Sequence, residues 1–189
     1  MATHAVNLGV GNSEETGTTG MFYHAPKGTD LPAYPSEELA QGWVEVGAIS
    51  VDGITLNTNR SFNALKNWAN KTARMLPAEE SGTVGAPIID TTEESFKTIF
   101  GAENVTVDAA TKDHGKLVSV DVEQDNMPEA EAFLFLMKDG DDMLMVGTEE
   151  GHISELGEVS FQPNNAITWN ATISADKWKI MKDDGQKSS

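Results

Sequence analysis

Phe133-Leu134-Phe135-Leu136-Met137-Lys138-Asp139-Gly140-Asp141-Asp142-Met143-Leu144-Met145-Val146 is two apolar runs around a turn. Asp-Gly between β-prone runs is a strong short-range hairpin signal. A strand with one wet face alternates apolar and polar residues. These two runs do not alternate, so both faces of the hairpin must be covered. Either the centre of a sandwich covers them within one subunit, or a partner subunit covers the second face. The surroundings sharpen the problem. From Asp121 to Glu158 there are twelve acidic residues and one basic one, Lys138. A disordered acidic tail lacks bulky apolar residues. This segment folds and displays carboxylates on some surface.

Strand patterns continue on both sides. In 117–125, Val118, Val120 and Val122 share one face, and Ser119, Asp121, Glu123 and Asp125 share the other. Val105–Asp108 reads as a strand. Ile167-Trp169-Ala171-Ile173 alternates with Thr168-Asn170-Thr172-Ser174. Upstream, Trp43–Val51, Asp52-Gly53 and Ile54–Leu56 predict another hairpin. Ala86–Ile89 reads as a strand end. Thr91-Thr92-Glu93-Glu94 offers a capping box, Phe96, Ile99 and Phe100 form one helical face, and Gly101 sits at the C′ position. This helix is short and must pack its aromatic face on a sheet. Ser61–Leu76 is ambiguous: its apolar spacing is helical, but Asn63, Asn67 and Asn70 disfavour a helix.

The pattern predicts a mainly β (α+β) fold: a two-sheet antiparallel sandwich or barrel with one flanking helix. The expected organisation is an N-terminal arm over 1–20, a single β domain over 21–180 and a polar tail over 181–189. A Pro/Gly/Ser-rich stretch over 24–41 is a long loop of the kind that contacts partners.

Charge and composition limit the function. The 189 residues carry a net charge of −17, and there is no cysteine. Residues 1–90 contribute −5 and residues 91–189 contribute −12. Such a surface repels phosphate backbones. Disulfides and thiolate metal sites are excluded. No apolar stretch has the length of a membrane span, and the first twenty residues predict no signal peptide. Four Asn-x-Ser/Thr sequons, Asn59 and Asn104 among them, read as chance without secretion. His4, His24, His114 and His152 are scattered, with no metal-ligand spacing. No nucleophile elbow, Walker loop or dinucleotide fingerprint occurs. Asp139-Gly140-Asp141-Asp142 lacks the rest of a calcium loop and reads as a turn. The expectation is no enzyme, no catalytic residue, no metal and no cofactor.

Gly42-Trp43-Val44-Glu45-Val46-Gly47-Ala48-Ile49-Ser50-Val51-Asp52-Gly53-Ile54 resembles the N-terminal hairpin of major tail proteins, the tail-tube subunits of long non-contractile-tailed bacteriophages. Ala64-Leu65-Lys66-Asn67-Trp68, Arg74, Ile88-Ile89-Asp90-Thr91 and Phe100-Gly101 follow in that family's order. The resemblance is good over residues 40–105 and looser afterwards. Asp90 departs from it, standing where a glutamate is more usual. The end at Ser189 leaves no room for the extra immunoglobulin-like module of some relatives.

The resemblance implies a structural virion protein of the phage tail, assembled in the host cytoplasm. Its subunits would form hexameric rings stacked into a tube through which DNA passes without specific binding. Implied partners are further copies of itself and the tape-measure, tail-tip and terminator proteins, with no membrane. It also implies that 66–78 is a loop and strand rather than a helix, paired with the strand that ends at Asp90. Stacked rings need arms, and the 1–20 segment and the 24–41 loop are candidates. The expected channel lining is Asp121, Glu123, Asp125, Glu129 and Glu131. The expected inter-subunit residues are Phe133, Phe135, Met137, Met143 and Met145. The alternatives are a monomeric or trimeric β-sandwich for decoration or adhesion, binding a protein or glycan, and a small enzyme with a carboxylate pair of raised pKa.

Overall fold

The computed structural model describes residues 18–66, 68, 70–122, 128–159, 161 and 167–185, excepting the side chains of 18–19, 59–63, 65 and 73–80. Ten strands and one helix follow in order: β1 (Thr18–Pro26), β2 (Val44–Ala48), β3 (Thr55–Lys66), β4 (Thr72–Ile88), α1 (Glu93–Phe100), β5 (Val105–Asp108), β6 (Leu117–Val120), β7 (Glu131–Asp139), β8 (Asp142–Leu156), β9 (Trp169–Ala175) and β10 (Lys179–Asp183). All pairings are antiparallel. One sheet runs β2-β1-β7-β8, with β10 also on β8; the other runs β8-β9-β4-β3. The long β8 belongs to both. Its first half pairs with β7 and β10, and its second half pairs with β9. β5 and β6 form a separate ribbon beside α1.

The two sheets enclose Phe22, Val46, Phe133, Phe135 and Val146 on one side and Val84, Ile88, Ile153, Trp169 and Ile173 on the other. Phe22 stacks on Phe135 with ring centroids 4.6 Å apart and planes at 9°. Aromatic pairs of this kind add about 0.5–1.5 kcal/mol beyond their buried area.

The 133–146 hairpin forms as expected, and its two covers are both internal. One face is the inter-sheet core. The opposite face, with Leu134 and Met145 fully buried, lies under the 27–43 connection. Pro32 and Pro35 are buried, and a Cβ built on Gly147 would fall 2.7 Å from Leu31 Cδ2. Only glycine at 147 lets Leu31 lie so close to the sheet. Gly28 N–H donates to the Glu149 carbonyl at 2.8 Å, and Ser36 Oγ donates to Asp183 at 2.7 Å. The long loop therefore folds onto its own subunit.

Three local expectations are corrected. Asp52-Gly53 does make a turn, closed by Gly53 N–H to the Ser50 carbonyl at 2.9 Å. It does not join a hairpin: β2 pairs with β1, and β3 pairs with β4, so the turn carries the chain from one sheet to the other. The helix cap is Thr92, with Ser95 as its reciprocal partner. Thr91 is occupied as acceptor for Trp169 Nε1 at 3.1 Å. Glu94 is drawn to Lys97 at 3.2 Å. The strand expected over 117–125 ends at Val120. Its partner β5 begins only at Val105, after a 3₁₀ turn over Ala102–Asn104, and the last contact beyond the ladder is Asp121 N–H to the Asn104 carbonyl at 3.0 Å. Val122 is exposed, at 71%, rather than on a buried face.

The ambiguous 61–76 segment is strand on both sides of a turn. β3 and β4 pair from Thr55↔Gly85 out to Lys66↔Thr72. The strand over 72–78 is continuous with the one that ends at Ile88. β1 starts at Thr18, inside the expected arm, and β10 reaches Asp183, inside the expected tail.

Candidate assembly surfaces

Two features stand out once the core is accounted for. The first is a groove at the tip of the β7–β8 hairpin. Ile49, Val51, Ile54, Met137, Met143 and Leu144 line its apolar floor, and its volume is about 360 Å³. Gly20 of β1 forms one wall. Lys138, Asp139, Asp142 and Lys182 stand at its rim. Lys182 Nζ lies 2.8 Å from Asp142 Oδ2, and this hydrogen bond raises the lysine pKa. Val51 is 57% exposed. A concave apolar surface of this size, open to solvent, is typical of a docking or ligand site.

The second is an arm. β9 pairs with β4 only over Gly82–Ile88. Beyond Gly82 the β3–β4 ladder continues alone to its tip, roughly 30 Å at the usual strand rise. Trp178 clamps its base, donating from Nε1 to the Gly82 carbonyl at 3.0 Å. Trp68 sits in the tip turn, fully exposed at 106%. Lys66 and Lys71 flank it and are exposed. From Thr58 to Gly82 the ladder holds Arg60, Lys66, Lys71 and Arg74 against Glu79 and Glu80, a charge of +2 with its bases alone toward the tip. The rest of the chain therefore carries −19, given the total of −17. Sequence reading missed this arm. The resemblance makes 66–78 a loop and strand but pairs it with the strand ending at Asp90; instead 72–88 is a single strand paired with β3.

The expected inter-subunit set divides. Phe133, Phe135 and Met145 are 1%, 0% and 0% exposed, filled in by the subunit itself. They are corrected to core residues: Phe133 and Phe135 lie between the two sheets, and Met145 lies on the opposite, covered face. Met137 and Met143 are half-buried and line the groove. The expected channel set also divides. Asp121 and Glu129 are exposed. Glu123 and Asp125 lie outside the described residues. Glu131 is half-buried, with Oε2 2.9 Å from His24 Nδ1. The other ring nitrogen of His24 is buried, 4.0 Å from Glu94 Oε2. Glu131 thus ties β7 to β1 beside the helix.

Among the described residues no group of three or more His, Cys, Asp or Glu could hold a metal ion. The carboxylate with a large shift is Glu93, and it moves down, to about 2. Hydrogen bonds from Lys116 and Lys97 cause this. A general acid needs the opposite direction.

The profile of a family described as phage tail tube protein matches residues 11–178. The chain belongs to that family. As a tail tube subunit it is a virion component of a phage or phage-like particle, and the two-sheet β fold with one helix is its framework. No helix among the described residues is long and apolar enough to cross a membrane. Solved structures similar to the tail tube subunit include two chains of gene transfer agent particles. One is a chain of the virion of a native gene transfer agent particle, at 8% identity and a TM-score of 0.39, covering 77% of this chain and 92% of that one. The other is a chain of the tail of an empty gene transfer agent particle, from a helical refinement with C6 symmetry. It shows 9% identity and a TM-score of 0.37, covering 91% of this chain and 99% of that one. No curated protein matches the tail tube subunit.

Proposed function

We propose that the subunit closes into hexameric rings, that the rings stack into the tail tube, and that phage DNA passes along the lumen without specific binding. The match to the tail tube family over residues 11–178 is the observation that carries this. The subunit also has what a polymer of this kind needs. The apolar groove and the β3–β4 arm are unlike surfaces, and unlike surfaces make heterologous, propagating contacts. Six copies at −17 give −102 per ring. Carboxylates on the lumen wall repel phosphates, and within a Debye length of about 8 Å this survives physiological salt. The proposed coat is Asp121, Glu123, Asp125 and Glu129. Glu131 is omitted because its carboxylate is tied to His24. Tape-measure, tail-tip and terminator proteins are the proposed partners at the tube ends.

Electron microscopy of the purified protein, alone and with a nucleating tail tip, tests the assembly. Rings or tubes are expected. Sedimentation as monomer at high concentration with the tip present would sink the proposal, and a stable trimer would favour a decoration or adhesion module. For the lumen, changing the four acids together to Lys is expected to leave tails assembled but slow DNA ejection, most at low salt. Ejection at the normal rate removes these residues from the lumen.

A further inference from the structure

We infer that protonation of His24 latches the β5–β6 ribbon and the first turn of α1 onto strands β1 and β7, so that this corner of the subunit tightens in mild acid and loosens in mild alkali. The device belongs to the single subunit and does not depend on the tube.

Six side chains run in a line across the ribbon, α1, β1 and β7. Lys116, just ahead of β6, reaches Glu93 Oε2. Lys97 Nζ lies 2.5 Å from Glu93 Oε1 and 3.2 Å from Glu94 Oε1. Glu94 Oε2 stands 4.0 Å from His24 Nε2, and His24 Nδ1 lies 2.9 Å from Glu131 Oε2. With the histidine charged, the signs alternate along the whole line. With it neutral, two glutamates flank an uncharged ring.

His24 is the member that switches. A carboxylate only accepts, so the contact with Glu131 fixes the neutral ring as the Nδ1–H tautomer. Nε2 is then a bare acceptor. It is buried, it has no hydrogen-bond partner among the described residues, and it faces a second carboxylate. The side chain is 14% exposed, so bulk water supplies no donor. Protonation gives Nε2 a hydrogen to donate toward Glu94, and both carboxylates then meet a charged donor. The other groups around the ring offer no rival. Val44 of β2 and Phe133 of β7 are its register partners, and neither carries charge. Lys97 is engaged on the far oxygen of Glu94. Hydrogen bonds from Lys116 and Lys97 hold the Glu93 carboxyl at about 2, and those to Glu93 and Glu94 raise the Lys97 amine, so neither changes charge near neutral pH. Histidine is the side chain whose charge changes between about pH 5 and 8.

The ribbon is the element this line controls. Among the described residues it pairs with no strand outside itself, and it rests on α1. A lone two-stranded ribbon is marginally stable in water. Lys116 joins it to Glu93, and Glu93 and Glu94 share Lys97, so the first turn of α1 links the ribbon to His24. The same line holds both ends of the 121–130 connection, the β6 side through Lys116 and the β7 side through Glu131.

Hydrogen exchange of the full-length subunit, corrected for the intrinsic pH dependence of exchange, reads the latch. Amides of 105–108 and 117–120 are expected to be about tenfold better protected at about pH 5.5 than at about pH 8.5, the scale of one hydrogen bond to a charged group, while β9 stays level. Ring-nitrogen NMR of His24 should show the Nδ1–H tautomer in the alkaline sample and hydrogens on both nitrogens in the acid one. His24→Gln has no charge to switch, and its ribbon protection should be flat with pH. Glu94→Gln offers Nε2 an amide donor at any pH, so its ribbon should hold in alkali the protection that the wild type reaches only in acid. Loss of an ordinary ion pair would not give that rescue. Wild-type ribbon protection that is level across the range, a pH profile that survives in His24→Gln, or an Nε2–H tautomer in alkali overturns the latch. If His24→Gln does not fold, the Glu94→Gln profile and the ring NMR decide.

Discussion

Gly47→Ala should be among the most damaging single-methyl additions in this subunit. Gly47 is buried in β2 and has φ +151°, in the region that glycine occupies almost alone. A Cβ at 47 would stand 2.6 Å from Asp90 Cβ and 2.8 Å from Asp90 Oδ2. Both Cβ atoms are fixed to backbone, so no rotamer change separates them. Relief requires the chain after β4 to move. That movement breaks the hydrogen bond from Ala48 N–H to Asp90 Oδ2, now 2.7 Å. Strain at such a position costs about 1–3 kcal/mol. A lost, part-buried hydrogen bond to a carboxylate costs about 1–3 kcal/mol more. The sum is about 4 kcal/mol, which for a domain of this length lowers the melting temperature by about 8–16 °C. Thermal and urea unfolding of monomeric protein measure it. Asp90→Ala alone should cost only the hydrogen-bond share. Adding Asp90→Gly to Gly47→Ala should recover part of the loss, because the Cβ–Cβ clash disappears. A loss below about 1 kcal/mol for Gly47→Ala would refute the packing argument.

Phe135→Ala removes a ring that is 0% exposed and stacked on Phe22. It should cost about 3–5 kcal/mol in urea unfolding, whereas Leu144→Ala in the groove should cost far less in the monomer. Glu93 has its folded pKa lowered from 4.5 to about 2 by Lys116 and Lys97. Its contribution is therefore complete above pH 4.5 and lost as pH falls toward 2. The stability gap between wild type and Glu93→Gln should stay constant at neutral pH and close across that acid window; a gap that widens on acidification would contradict the ion-pair geometry.

Much of the framework was legible in the residues. The 139–142 turn, the helix with Gly101 at its end and the alternation over 169–175 each follow from local chemistry, and the structure contains all three. What failed was pairing. Asp52-Gly53 has the chemistry of a hairpin turn, but a turn does not say which strands it joins, and here it crosses between sheets. The 133–146 runs showed that both faces are covered, yet no local pattern could reveal that residues 27–43, a hundred positions earlier, supply the second cover. That long-range contact covers the face of Met145, while the second sheet buries Phe133 and Phe135, and together they move all three from interface to core. The arm escaped for a different reason. Its apolar spacing fits a helix, and only pairing of β3 with β4 makes it a strand ladder.

The charge distribution bears on how such a subunit can polymerise at all. Two bodies of −17 repel, and a close contact between uniformly acidic surfaces would be opposed within the screening length of about 8 Å. The positive charge is not spread to dilute this. Four of the thirteen basic residues lie between 58 and 78, with Glu79 and Glu80 the two acids on the same ladder. This leaves the body acidic, as the proposed phosphate-repelling channel would require. It also places one cationic, tryptophan-tipped element where it reaches beyond the body. Raising salt should then act in opposite directions on the two parts: it relieves repulsion between bodies and weakens steering of the arm. Wild-type assembly should therefore pass through an optimum in ionic strength. Lys66→Glu/Lys71→Glu should lose the low-salt arm of that optimum and improve steadily with salt. Light scattering across a salt series reads this directly. A wild-type curve that only rises with salt would mean that the arm contributes no electrostatic attraction to assembly.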